Sequence, residues 1–107
     1  MKRYGMVIHL KPEKIADYIE LHRTVWPEVL AILSRHFVKN YSIFLKDNLL
    51  FGYLEYHGDN YVLDMQQVAD YPVTKRWWEL TVPCQQPLAS SSEGEWWSLM
   101  QEVFHLE

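Results

Sequence analysis

Tyr18 and His22 stand four residues apart, in a stretch where Ile15, Tyr18, Ile19, His22 and Trp26 recur at three- and four-residue steps. On a helix this spacing puts the two side chains on one face, about a turn apart. Histidine gives and takes protons near neutral pH, and a tyrosine hydroxyl donates or accepts a hydrogen bond. Together they could move a proton at a polar ligand. They could equally be a half-buried histidine packed on a core tyrosine. Spacing alone favours the packing reading, because the chain has five histidines and most histidines do not catalyse. His9, His36, His57 and His105 have no partner at a telling spacing.

Arg76-Trp77-Trp78 is the second feature. Neighbouring helical residues point about 100° apart, so one tryptophan would anchor the helix while the other could face a cavity. A flat apolar ring with one N–H donor suits a neutral, hydroxylated ligand; a core or interface role is about as well supported. Trp96-Trp97 read as packing or dimer residues. Metal binding has little support, with no His-x-x-x-His, no cysteine pair and no calcium-loop pattern. Ser90-Ser91-Ser92 has no Gly-x-Ser-x-Gly frame, and four glycines make no phosphate loop.

The positive charges are scattered and the net charge is −4, which argues against a nucleic-acid partner. Cys84 is the single cysteine, so no internal disulfide can form, as suits a reducing compartment. No apolar leader follows Met1 and no stretch approaches membrane-spanning length, so a soluble, cytoplasmic protein is expected. At 107 residues, positions 1–107 make one domain. Aromatic residues are 15% of the chain, more than so small a core can hide, so some should line a pocket or an interface.

The elements that would position these residues follow in order. Tyr4, Met6, Ile8 and Leu10 alternate as a first strand, and Pro12 opens the helix carrying Tyr18 and His22. Pro27 should kink or restart that helix, which runs on to about His36. Phe37, Tyr41, Ile43 and Leu45 alternate, Lys46-Asp47-Asn48 turns, and Leu49 to Tyr56 returns. Asp59 or Asn60 caps a second helical region with Val62, Met65 and Val68 on its buried side, and Tyr71-Pro72 breaks it before the helix bearing Trp77. Pro83 to Glu95 is a loop long enough to need a purpose. The last strand is expected within Trp96 to Leu106, most clearly in Val103-Phe104-His105-Leu106. The order strand, helix, strand, strand, helix, strand is the ferredoxin-like βαββαβ pattern of an α+β fold: a four-stranded antiparallel sheet with helices on one face. Two such sheets packed face to face would form a dimeric α/β barrel.

Tyr18-x-x-x-His22-x-x-x-Trp26-Pro27-Glu28, Asn40-Tyr41-Ser42-Ile43-Phe44, Arg76-Trp77-Trp78 and Glu102-Val103-Phe104-His105-Leu106 together resemble the L-rhamnose mutarotase family, in order and over nearly the whole chain. The resemblance reverses the odds on His22. It implies a cofactor-free interconversion of sugar anomers in a homodimeric α/β barrel, with a neutral monosaccharide as partner. It implies His22 as the proton-donating residue and Tyr18, Tyr41, Trp77 and Trp78 as sugar contacts, with no metal. Arg23-Thr24-Val25 stands where familiar members carry Asn-Pro-Ile, and the Pro83–Leu88 loop is divergent, so L-fucose or another neutral aldose is an alternative to L-rhamnose. The same fold also hosts cofactor-independent monooxygenases and ligand-binding modules, the two competing expectations.

Overall fold

Alternation along Lys2–Leu10 produces β1, in which Met6, Ile8 and Leu10 are buried and Val7 and His9 turn away from the core. The computed structural model describes all residues 1–107. A 3₁₀ turn at Pro12–Lys14 leads into α1 (Ile15–Arg23). Pro27 occupies the first turn of α2 (Pro27–Arg35), and Trp26 before it is extended, as the residue preceding a proline should be. The expected break at Pro27 is therefore a restart of the helix.

β2 (Val38–Lys46) and β3 (Leu49–Tyr56) form a hairpin whose turn places Asp47 at φ 55°, a conformation that aspartate tolerates. Asn60 caps α3 (Tyr61–Asp70), its side chain accepting from the Leu63 N–H at 3.1 Å. Val62 does not lie on the buried side: it is 65% exposed, because a helix starting at Tyr61 turns Tyr61, Met65 and Val68 inward at steps of four and three. Tyr71-Pro72 separates α3 from α4 (Pro72–Thr81), whose Val73 and Trp77 pack with Val29, Ile32 and Val68. A second 3₁₀ turn, Val82–Cys84, buries the Cys84 thiol and pushes its pKa up, which suits an inert side chain.

The sheet order is β2-β3-β1-β4, antiparallel throughout, with the helices on one face. Its fourth position is built in two pieces. β4 (Gln85–Gln86) pairs with His9 and Leu10, and β5 (Ser98–Met100) pairs with Gly5 to Val7 on the same edge of β1. Residues 87–97 are thus an excursion inserted into an edge strand. The strand expected in Val103–Leu106 is absent, and residues 101–107 carry no regular structure. The register of β5 would set Val103 against Lys2, where β1 begins, so Phe104 to Leu106 have no strand to pair with.

The sheet's helix face holds Met6, Ile8, Leu10, Val38, Leu50, Leu54 and Tyr56. The opposite face is uncovered: Phe44, opposite Phe51, is 64% exposed, and Met100 is 42% exposed. A polar staple joins the end of α2 to α3. His36 Nδ1 lies 2.9 Å from Asp64 Oδ1, the Tyr56 hydroxyl donates to Asp64 Oδ2, and the Asn60 N–H donates to the Tyr56 oxygen. Tyr56 first and His36 second hold the Asp64 carboxyl below its ordinary pKa.

Candidate active site

The i, i+4 spacing on α1 does bring Tyr18 and His22 together. Their rings stack with centroids 4.2 Å apart. Tyr18 is 4% exposed, and its backbone carbonyl lies 2.8 Å from His22 Nδ1. A carbonyl only accepts, so Nδ1 carries a hydrogen and donates it. Nε2 has no partner within the chain and is the nitrogen left to exchange a proton. The Trp77 ring meets His22 edge-on at 5.5 Å and Trp26 edge-on at 5.2 Å. α4 therefore sets one indole against the histidine, and the α1–α2 junction backs that indole with a second.

Tyr41 reaches this group from the sheet through a β-bulge. Lys39 pairs with Glu55 and Ser42 with Tyr53, so Asn40 and Tyr41 together oppose Leu54. Asn40 takes the left-handed conformation, φ 49°, and donates to Glu55 at 2.7 Å on the outer face. The extra residue resets the alternation, so Val38 and Tyr41, three apart, both fall on the helix side. Burial pushes the Tyr41 phenol pKa up, with Tyr18 and Tyr61 as the neighbours that add to the shift. The residue as a whole is 38% exposed. Tyr61 stacks on Tyr4 at 4.1 Å, and burial raises its pKa too.

The excursion 87–97 completes the cluster through Trp96, a residue read from the sequence as packing or dimer contact. Gln85, 5% exposed, donates from Nε2 to the Tyr18 hydroxyl oxygen at 3.2 Å. Its Oε1 accepts from Trp96 Nε1 at 2.7 Å. Burial pushes Tyr18 up to about 12, partly offset by the Gln85 hydrogen bond. Trp97 packs against both core clusters of the sheet, beside a buried Gly52. A Cβ on Gly52 would lie 2.9 Å from Met6 Cγ and 3.6 Å from the Trp97 ring, so the missing side chain lets both approach.

No lysine, arginine, aspartate or glutamate enters the hydrogen bonds or ring contacts that join Tyr18, His22, Trp26, Trp77, Gln85 and Trp96. Such a setting suits a neutral, hydroxylated ligand over an ion. Trp78 is not in this cluster. It is 42% exposed and, with Lys75, Glu79, Val82 and Pro83, lines a surface depression of about 420 Å³. Another, of about 390 Å³, lies between Arg35, Tyr71 and Arg76. Neither depression includes Tyr18 or His22. No group of three or more His, Cys, Asp or Glu side chains is placed to hold a metal ion, and no helix is long and apolar enough to cross a membrane.

Sheet order, one-sided helices and an aromatic site between the two layers define a member of the dimeric α/β-barrel fold class. Two solved structures share the fold over the whole of this chain. One is an L-rhamnose mutarotase from Formosa agariphila (TM-score 0.77, 24% identity, all of that chain covered). The other is tetracenomycin F2 cyclase from Streptomyces glaucescens (TM-score 0.63, 17% identity, 98% of that chain covered). The family model for L-rhamnose mutarotase matches residues 3–106. Among curated relatives, the L-rhamnose mutarotases of Oceanobacillus iheyensis and Bacillus subtilis are 32% and 30% identical, each aligned over the whole of both chains. The chain belongs to the L-rhamnose mutarotase family, a family of carbohydrate isomerases.

Proposed function

We propose that this protein interconverts the α and β anomers of L-rhamnose, or of a related neutral aldose such as L-fucose, by acid–base catalysis through ring opening. The observation that carries the proposal is His22: Nδ1 is tied to the Tyr18 carbonyl and Nε2 is free, with the rings of Tyr18 and Trp77 against the imidazole. Ring opening takes a proton from the anomeric hydroxyl and delivers one to the ring oxygen, as the bond from C1 to the ring oxygen breaks and the C1 carbonyl forms. The aldehyde rotates, and the reverse steps close the ring on its other face. His22 donates through Nε2 when protonated and accepts there when neutral. Tyr18 orients the sugar or relays a proton, Tyr41 hydrogen-bonds a sugar hydroxyl, and Trp77 forms the apolar wall. For Trp78 as a sugar contact, the support is the resemblance alone. General acid–base assistance supplies about 10²–10⁴-fold, enough for a reaction that already proceeds slowly in water.

We also infer a cytoplasmic homodimer joined through the uncovered sheet face, where Phe44 and Met100 are exposed. Sedimentation at micromolar concentration should give twice the chain mass; a lone monomer would end the dimer proposal. The reaction is tested by NMR saturation transfer between the two anomeric H1 signals of L-rhamnose, L-fucose and D-glucose. Faster exchange for one sugar, absent in His22→Ala, fits the proposal. No faster exchange for any sugar, from folded protein, would rule it out.

A further inference from the structure

Trp96 and Gln85 lie outside the residues that the resemblance points to, yet they decide which way the Tyr18 proton points. An indole N–H can only donate. Trp96 Nε1 sits 2.7 Å from one end of the Gln85 amide, so that end must be the oxygen. The other end is then the amide nitrogen, which can only donate, and it lies 3.2 Å from the Tyr18 hydroxyl. The Tyr18 oxygen accepts from Gln85, and its own hydrogen must point elsewhere. No acceptor for that hydrogen exists within the chain. A phenol 4% exposed with an unspent proton, stacked on a histidine whose Nε2 is unspent, lacks only a ligand oxygen.

We infer that Gln85, oriented by Trp96, is a positioning residue that fixes Tyr18 as a hydrogen-bond donor to a sugar oxygen, an inference that rests on the mutarotase reading above. The amide excludes the opposite arrangement, in which Tyr18 would spend its proton on the protein and offer the sugar only a lone pair. The excursion 87–97 thereby acquires a purpose: it carries Trp96 back to Gln85 across 11 residues.

The test is anomer exchange of L-rhamnose, with kcat and KM measured for wild type, Gln85→Glu, Gln85→Leu, Trp96→Phe, Tyr18→Phe and the double variant Tyr18→Phe/Gln85→Glu. Faster exchange with wild type establishes the underlying reaction, so its absence is a failure of the mutarotase reading and not of this inference. An ionised carboxylate at position 85 would still accept from Trp96 but would also draw the Tyr18 proton to itself. Gln85→Glu should therefore lose about tenfold in kcat/KM, the scale of one misdirected hydrogen bond. Its activity should also recover as falling pH protonates the new carboxyl, relative to wild type at the same pH. Gln85→Leu and Trp96→Phe should each lose a few-fold, and the double variant should be no worse than Tyr18→Phe. Folded Gln85 variants with wild-type kcat/KM would overturn the inference, as would losses from Gln85→Glu and Tyr18→Phe that multiply in the double variant. Should the Gln85 variants not fold, Trp96→Phe decides alone: a few-fold loss in wild type that vanishes in a Tyr18→Phe background supports the role, and any other pattern overturns it.

Discussion

The two adjacent tryptophans of α4 should separate when each is replaced by alanine. Trp77 is 6% exposed and packed among Val29, Ile32, Val68 and Val73, with its edge also against His22 and Trp26. Removing a buried indole leaves a cavity its neighbours cannot fill and costs about 3–5 kcal/mol. For a domain near 100 residues, each kcal/mol lowers Tm by about 4 °C or more, so Trp77→Ala should melt roughly 12–20 °C below wild type. Trp78 lies 100° around the helix and is 42% exposed, so Trp78→Ala should cost no more than about 1 kcal/mol and about 4 °C. Thermal unfolding followed by circular dichroism measures both. Equal losses, or a larger one for Trp78, would refute this division of the pair. Anomer exchange on the same proteins then separates packing from ligand contact. If folded Trp78→Ala keeps the wild-type KM for L-rhamnose, Trp78 is not a sugar contact; a raised KM with unchanged Tm would mean that the sugar reaches past the His22 cluster.

Tyr18 has a folded-state value of about 12 against an ordinary 10.0, so the native state holds its proton more tightly than the unfolded chain. Its contribution is fully present below pH 10 and lost as pH rises toward 12, about 3 kcal/mol in all; urea unfolding at pH 9 and pH 11 should show a decline, and Tyr18→Phe should make it shallower, with the raised Tyr41, Tyr56 and Tyr61 phenols supplying the rest. Asp64 is shifted the other way, below 3.8, first by Tyr56 and then by His36. Its contribution is present above that value and lost as pH falls through the depressed one, so Asp64→Asn should lower stability at pH 7 and make the acid limb shallower.

Much of the site was legible because it depends on local periods. The four-residue step from Tyr18 to His22 needs only a helix, and Pro27 announces its own restart. The alternation of Tyr4, Met6, Ile8 and Leu10 is that of a strand with one covered face. The bulge was hidden, since Asn40 reads as an ordinary strand residue until its left-handed backbone lets Val38 and Tyr41 share a face. Phe37 fell out of phase for the same reason: it sits before the strand at φ 69° and is 47% exposed. Val103 to Leu106 have the composition of a strand, but pairing needs a neighbour, and β1 has ended there. The Gln85–Trp96 link was out of reach because no periodicity joins the two ends of an irregular excursion; a tryptophan near a polar residue is too common to single out.

Saturation transfer between the anomeric H1 signals of L-rhamnose, with wild type and His22→Ala side by side, tests the central claim most directly. Exchange should be faster with wild type and fall by about 10²-fold or more in a folded His22→Ala. Wild-type exchange in folded His22→Ala would contradict it, removing the histidine from the chemistry however well its rings and hydrogen bonds are placed.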